Sequence, residues 1–510
     1  MMDPILVTIK VYSHSLVVTY TKAEIRNCLL MFCRNLVTIG FKKVGYKWVR
    51  GIDKVFAGST KDRSEFSFHR NQLESLIQFL SNSGIDRNFI NVTVQPLYRP
   101  LSIKLDYIDE RLPKDYQAPI IDYILEKGNT KVVTLQPGRG KTFIALSVMR
   151  ELSTRTFFCI KPRYIEKWID DLNEAFNLEK EDIVVIKGSI NLKKLMNQYE
   201  DLTAKVIICS NATYHQYLKT YELWGKQIKQ SGFAFAPIEF CKRLKIGFRV
   251  IDEVHQDLYN NYRQFLYSHV PKTLSLSGTL ESDERTINRI YQTLFPTDIR
   301  YKELAPDVYI EANALFYSIP NAEHRIRFIN HALNSYSHIR FEQSILKQKS
   351  LLIAYIKMIY SIVETYYLNK AVKGQKMIIY CSTIEMCNLV LDYLTKKVKR
   401  FEVSRYVGED NYEEMLKSEL IVSTIKSLGT AIDILNLRVI LMTDALASRQ
   451  ANLQASGRLR RMKDYPEVTP QFLYLVCRDI KKHKEYHRHK KILFTSRVLS
   501  HNEIQLDHRL

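Results

Sequence analysis

The sequence predicts an α/β protein built on doubly wound parallel sheets, with a small α/β domain in front, and two observations carry that prediction. From residue 106 onward, short apolar runs alternate with helically spaced segments, the pattern of strands joined by crossover helices. One such run, Val132-Val133-Thr134-Leu135, turns through Gly138-Arg139-Gly140 into a helical segment, residues 143–149, that contains no Gly or Pro. The pattern divides the chain into residues 1–105, 106–300 and 301–510.

Composition bounds the partners. The 510 residues suffice for several domains, and a hydrophobic content of 46% permits real cores. Against 54 Asp and Glu stand 75 Lys and Arg, a net charge of +21. Such an excess points to a polyanion, nucleic acid before an acidic membrane surface. No apolar run approaches the length of a membrane span, residues 28–33 being among the longest. The N-terminus, with Asp3 and no basic flank, does not read as a signal peptide. The eight Cys are scattered without a C-x-x-C pair, which argues against a zinc site and suits a reducing, cytoplasmic setting.

In the first domain Val7, Ile9 and Val11 alternate as a strand, and Thr21-x-x-Glu24 reads as a capping box opening a helix with Ile25, Cys28, Leu29 and Phe32 on one face. Leu73, Leu76, Ile77 and Leu80 mark a second helix that Gly84 stops, and residues 91–94 a further strand. Between the helices Lys42, Lys43, Tyr46, Lys47, Trp48 and Arg50 interleave cations with aromatics. That mixture suits phosphates and stacked bases, and equally a hairpin with a solvated basic face.

In the second domain the glycine turn has the context of a phosphate-binding loop, although a strict loop has Gly where Leu135 stands. Gly138, Arg139 and Gly140 would bring backbone N–H groups to a nucleotide, Lys141 would reach its β- and γ-phosphates, and Thr142 would sit on Mg²⁺. Upstream, Gln117 can read one edge of adenine. Residues 156–160 and 206–210 read as buried strands whose tips carry Lys161, Arg163 and Ser210 on the ligand-bearing edge. The run 248–251 delivers Asp252, suited to a Mg²⁺ shell, and Glu253, suited to orienting and deprotonating a water. Another strand ends in Ser277-Gly278-Thr279, whose hydroxyls can pass hydrogen bonds onward.

The third domain continues the pattern. Residues 309–316 read as a strand and 351–367 as a buried helix. Strands at 376–383, 420–424 and 438–442 follow, the first two carrying Thr383 and Thr424 at their tips. Gln454-Ala455-Ser456-Gly457-Arg458-Leu459-Arg460-Arg461 places Arg458 and Arg461 three apart, hence on one helix face. The basic run 481–490 reads equally as a nucleic-acid contact or a solvated helix face.

Taken together these segments resemble the motif series of superfamily 2 helicases. Asp252-Glu253-Val254-His255 is similar to their Asp-Glu-x-His box, Gly138 to Thr142 to motif I, and Ser277-Gly278-Thr279 to motif III, where the family more often has Ala in the middle. Tyr116-Gln117 resembles the adenine-reading Gln motif, and residues 376–383 resemble motif IV. Residues 420–433 resemble motif V, with Ala431 where Gly is usual, and residues 454–461 resemble motif VI. The resemblance implies two RecA-like domains and hydrolysis of ATP with Mg²⁺. It implies Asp433 at the nucleotide, Arg458 and Arg461 as arginine fingers, and His255, Ser277, Thr279 and Gln454 as coupling residues. Lys161, Arg163, Ser210, Thr383 and Thr424 would grip backbone phosphates. Within the superfamily the chain looks most like phage UvsW-type helicases. That implies unwinding and branch migration of forked and four-way DNA in replication, recombination or repair, beside proteins of those processes in the host cytoplasm. An RNA helicase, the motor subunit of a restriction system and a catalytically silent ATP-gated binding module are the alternatives.

Overall fold

This computed structural model describes residues 5–44, 47–136, 138–280, 282, 284–302, 304–305, 307–330, 335–408, 410–428 and 434–510; at 41–44 and 47–48 it describes backbone alone. The chain forms two compact units, one of residues 1–135 with 139–303, the other of residues 304–510 with 136–138.

The first unit opens with β1 (Val7–Val11), β2 (Ser15–Tyr20), the hairpin β3 (Val37–Val44) and β4 (Lys47–Val55), then β5 (Gly58–Ser59), β6 (Phe66–His69) and β7 (Ile90–Val94). Five of these make a mixed sheet of order β5-β6-β2-β1-β7, while β3 and β4 form a separate two-stranded sheet. Helices Ala23–Arg34 and Leu73–Asn82 turn Ile25, Leu29, Phe32, Leu76 and Leu80 onto this sheet's core. The predicted capping box at Thr21 does not form. The helix starts after Lys22 with no side-chain cap, because Thr21 is pinned to the residue ahead of β1, its N–H and hydroxyl both reaching the Leu6 carbonyl.

This layer is tied to the sheet that follows. Ser13 N–H donates to His269 Nδ1 at 3.2 Å, Val270 N–H donates to Ser13 Oγ at 2.9 Å, and the Tyr221 hydroxyl donates to Glu65 at 2.7 Å. Phe56 sets its ring edge-on to Tyr259 and Tyr262.

The parallel sheet comprises β8 (Thr130–Thr134), β9 (Thr156–Ile160), β10 (Ile183–Ile186), β11 (Val206–Ser210), β12 (Phe248–Ile251) and β13 (Lys272–Ser277), in the order β10-β11-β9-β12-β13-β8. Period-2 alternation decides its two faces. Val132, Phe157, Cys159, Ile207, Cys209 and Ile251 join one core. Val133, Phe158, Ile208 and Val250 are buried on the opposite face, where Phe158 meets Trp168.

The second unit holds β14 (Glu311–Ser318), a short hairpin of β15 (Ile329–Asn330) and β16 (Ser335–Tyr336), then β17 (Lys376–Cys381), β18 (Val403–Tyr406), β19 (Leu420–Thr424), β20 (Leu437–Met442), β21 (Gln471–Cys477) and β22 (Ser500–Arg509). Its parallel sheet runs β18-β19-β17-β20-β21-β14-β22. Met377, Ile379, Leu420, Val422, Val439 and Leu441 enter one core with the helices His338–Leu346, Lys349–Val363 and Ile384–Lys397. Ile378, Tyr380, Ile421, Ile440 and Met442 enter the other. Against the expectation from the sequence, where Lys357 and Glu364 interrupt the apolar run, the stretch Lys349–Leu368 is by length and composition long and apolar enough to cross a membrane. Here it lies against the sheet, with Leu351, Tyr355, Met358, Ile359 and Ile362 in the core.

Candidate functional site

The loop after β8 needs its glycines. Gly138 and Gly140 have φ of +82° and +77°, a left-handed backbone that side chains resist. Gly140 is also approached closely, since a Cβ there would stand 2.3 Å from Gln117 Nε2. It begins the helix Lys141–Leu152, whose first N–H groups have no partner within the helix. Gln117 is buried, with its amide engaged on the chain: Nε2 donates to the Arg139 carbonyl at 3.2 Å and Oε1 accepts from Lys114 N–H at 3.0 Å. The Tyr116 hydroxyl donates to the same carbonyl, and the Arg139 guanidinium lies over the Tyr116 ring. The segment before the loop thus braces the loop.

Beyond β12 the two carboxylates separate in role. Asp252 Oδ1 accepts from Glu253 N–H at 2.9 Å and Oδ2 from the Trp168 indole N–H at 3.3 Å. Burial, with the Glu253 charge adding to it, pushes the Asp252 carboxyl above the usual range. Glu253 has φ of +47°, so its side chain leaves the strand end in a direction of its own. Its Oε1 pairs with the Lys141 ammonium, both side chains being about one-eighth exposed. Burial alone would raise this carboxyl, but the Lys141 charge holds it below its ordinary value. His255 Nδ1 lies 3.3 Å from Glu253 Oε2 and 2.7 Å from Ser277 Oγ. The Ser277 hydroxyl donates to the Thr279 carbonyl at 2.5 Å, so its oxygen accepts and the histidine proton sits on Nδ1. Burial lowers His255 to about 4, which leaves it neutral at pH 7.

Lys141, Thr142, Asp252, Glu253, His255, Ser277 and Thr279 thus come together around one strand edge of the first unit. Left-handed glycine turns, a helix N-terminus, an ammonium and two carboxylates fit the phosphates of a nucleotide and a divalent cation. Thr142 and Asp252 are the groups that would hold the cation.

At neighbouring tips, Lys161 Nζ donates to Gln256 Oε1 at 3.1 Å, and Arg163 donates to the Tyr164 hydroxyl at 2.7 Å. Ser210 ends β11 and is buried. Of the basic and aromatic hairpin, Arg50 is exposed. Tyr46, and the side chains of Lys42, Lys43, Lys47 and Trp48, lie outside the described residues, as do Gly429, Thr430, Ala431 and Asp433.

The second unit departs from the sequence reading in three places. Arg458 and Arg461 do not share a helix face: the helix Arg449–Ser456, which carries Gln454, stops at Gly457 before either of them. Arg458 is buried and donates to the Leu428 carbonyl, whereas Arg461 is mostly exposed and pairs with Asp307 at 3.1 Å. Thr383 does not present its hydroxyl to solvent. That hydroxyl and the Thr383 N–H both donate to Glu342 Oε2 at 2.8 Å, and Ser382 N–H donates to Oε1 at 2.9 Å. Thr424 Oγ1 lies 2.8 Å from Ser427 Oγ. The basic run, finally, is a solvated face only in part: Lys481, Lys482, Lys484, Arg488 and His489 are exposed. It forms the helix Lys481–Phe494, whose His483, His487 and Lys490 are buried along one side. Burial lowers Lys490 to about 7, partly offset by the Asp444 charge.

His338, Glu342 and Asp444 bring ligand-type atoms within 4.8 Å of one another. His338 Nδ1 accepts from Ala445 N–H at 3.1 Å, so the neutral ring carries its proton on Nε2, 3.8 Å from Asp444 Oδ1. A metal would have to displace that proton beside a buried lysine, so the cluster is better matched to sharing protons than to holding a cation. Glu342, Asp444 and Lys490 come from well-separated segments, and no local motif announces them.

Residues 110–282 match the family described as type III restriction enzyme, res subunit. No curated protein sequence matches the chain. Among solved structures, the Saccharomyces cerevisiae Dbp5 bound to RNA and ADP BeF3 is similar at 13% identity and a TM-score of 0.50, covering 78% of this chain and 90% of that one. The Pyrococcus furiosus Hef helicase domain follows at 15% identity and a TM-score of 0.44, covering 74% and 98%. The segment bearing the loop and both carboxylates is thus similar to that restriction-subunit family, and the chain carries two RecA-like parallel sheets, the fold it shares with the Dbp5 structure.

Proposed function

We propose that this protein is an ATP-dependent DNA helicase that unwinds or branch-migrates forked and four-way DNA, as the UvsW-type resemblance implies. The observation that carries the motor reading is the largely buried set Lys141, Glu253, His255 and Ser277, joined in one chain of polar contacts beside a left-handed glycine loop. ATP supplies the free energy of γ-phosphate cleavage and Mg²⁺ neutralises its phosphate charge. Lys141 binds the β- and γ-phosphates, and in doing so leaves Glu253 free to orient and deprotonate water. Asp252 and Thr142 hold the cation. His255 passes the state of Glu253 to Ser277 and Thr279. Arg458 and Arg461 would serve as arginine fingers, a role proposed on sequence grounds. The net charge of +21 supports a nucleic-acid partner.

An unwinding assay decides the substrate. A flush duplex, a fork, a four-way junction and an RNA duplex are offered to the protein with ATP and Mg²⁺. Preference for the fork and junction is the expected result. Preference for the RNA duplex replaces the reading with an RNA helicase. Absence of nucleic-acid-stimulated ATP turnover leaves the silent binding module.

A further inference from the structure

The residues immediately after the two carboxylates form one tight 3₁₀ turn, Val254–Asp257. Gln256 N–H donates to the Glu253 carbonyl at 2.8 Å, so the turn moves with Glu253 as one piece. Three consecutive side chains leave it, each for the tip of a different strand. His255 meets Ser277 at the end of β13. Gln256 Oε1 accepts from Lys161 Nζ and from the Tyr164 hydroxyl, each at 3.1 Å, just past β9. Asp257 Oδ2 accepts from Asn211 Nδ2 at 3.3 Å, next to Ser210 at the end of β11, and from Asn260 Nδ2 at 2.8 Å. In the sheet β9 and β13 flank β12 directly, and β11 lies beyond β9.

We infer that Gln256 and Asp257 are positioning residues that tie the nucleotide-hydrolysing carboxylates to the nucleic-acid-binding tips of β9 and β11. The inference rests on the helicase reading above. The residue types suit the task. An amide carbonyl holds the Lys161 ammonium in place through one hydrogen bond and leaves its charge intact for a phosphate, where a carboxylate would neutralise it. A shift of Glu253 as Lys141 turns to a nucleotide is carried through the turn to Lys161 in one direction and to Asn211 in the other. A nucleic-acid phosphate drawing on Lys161 acts back on Glu253 by the same path, because coupling between two binding sites is reciprocal.

The test separates basal from stimulated turnover. Phosphate release by Gln256→Met, which keeps the length and loses the acceptor, is measured with and without a single-stranded DNA oligonucleotide of mixed sequence. Basal kcat and the KM for ATP should stay close to wild type. The stimulated rate should fall about tenfold, the equivalent of one hydrogen bond to a charged group. Tyr164→Phe removes one of the two donors and should give a smaller loss of the same kind, and Asp257→Ala should reproduce the split through β11. Gln256→Glu keeps the geometry and adds a negative charge, so it should weaken oligonucleotide binding. Full stimulation in Gln256→Met overturns the relay and leaves the helicase reading standing, as does an equal fall in basal and stimulated rates, which marks a merely structural role. A wild-type protein with no stimulated turnover overturns the helicase reading, and the relay with it.

Discussion

Replacing Glu253 with Gln should make the protein bind ATP more tightly while nearly abolishing its turnover. Without nucleotide, the Lys141 ammonium is neutralised by Glu253 Oε1, in a pair whose side chains are 12% and 13% exposed. A phosphate must take the ammonium from that carboxylate before it gains anything. In Glu253→Gln the amide oxygen still accepts from the Lys141 ammonium, but as a neutral partner. The bond stays charge-assisted, so what is lost is the attraction between two opposite charges, about 1 kcal/mol or a little more for a pair that keeps some contact with water. At 1.4 kcal/mol per decade, the Kd for ATP should drop about five- to tenfold. With Glu253 as the proposed general base, turnover should fall about 10²–10⁴-fold. Calorimetric titration with ATP and Mg²⁺ reads the first effect and phosphate release the second. Weaker ATP binding in Glu253→Gln, or turnover within tenfold of wild type, would refute the reasoning. Lys141→Ala is the control with the opposite sign. It strands a buried carboxylate, at a cost of about 3–5 kcal/mol in stability, and removes ATP binding together with turnover.

Other consequences can be measured on the same protein. Arg458→Ala and Arg461→Ala should each lower turnover by about 10³–10⁵ if both serve as arginine fingers. Only Arg458→Ala should melt noticeably earlier, because its buried bond to Leu428 is worth about 1–3 kcal/mol and the exposed Arg461–Asp307 pair at most about 1; equal melting would put the burial contrast in error. Glu342→Gln should change how stability depends on pH. Burial, then the Asp444 charge, raises the folded pKa of Glu342, so the folded state holds this proton more firmly than the unfolded chain. Wild-type stability is therefore kept below the unfolded carboxyl value of about 4.3 and falls as pH rises toward the folded one. Glu342→Gln should lack that fall, and parallel melting curves for the two proteins between pH 5 and pH 8 would count against it. Neutralising Lys42, Lys43, Lys47 and Arg50 together should weaken DNA binding and flatten its salt dependence, by about 0.9 for each DNA phosphate that is no longer neutralised. An unchanged slope would leave the hairpin without a role in binding.

What the sequence makes legible is what lies close together along the chain. The loop at Gly138 to Thr142, the pair Asp252-Glu253 and the run from Gln454 to Arg461 are contiguous, and their flanking apolar runs announce the sheets. The contacts that give these residues their surroundings are not contiguous. Lys161 and Gln256 are 95 positions apart, and Thr383 meets a carboxylate 41 positions upstream. No periodicity encodes such pairings. The helix expected to carry Arg458 and Arg461 ends at Gly457, a local stop inside a motif whose spacing alone suggests continuity. The basic run 481–490 misleads for a different reason. Lysines and histidines at helical spacing resemble a solvated face, and only the packing of the helix Lys481–Phe494 against Asp444 and Tyr474 turns Lys490 and His487 inward.

The backbone at Glu253 has a consequence for selection. A left-handed conformation at a residue with a Cβ costs about 1–2 kcal/mol, and Gly or Asn would adopt it with less strain. The same position carries a largely buried charge whose chief compensation is the Lys141 ammonium. A library of this protein screened for folding alone should therefore enrich Gly or Asn at position 253, and the enriched clones should be robust and inert. A screen for motor activity should return Glu at the same codon with a lower melting temperature. The distance between the two outcomes would measure how much stability this chain gives up to keep a carboxylate beside its glycine loop.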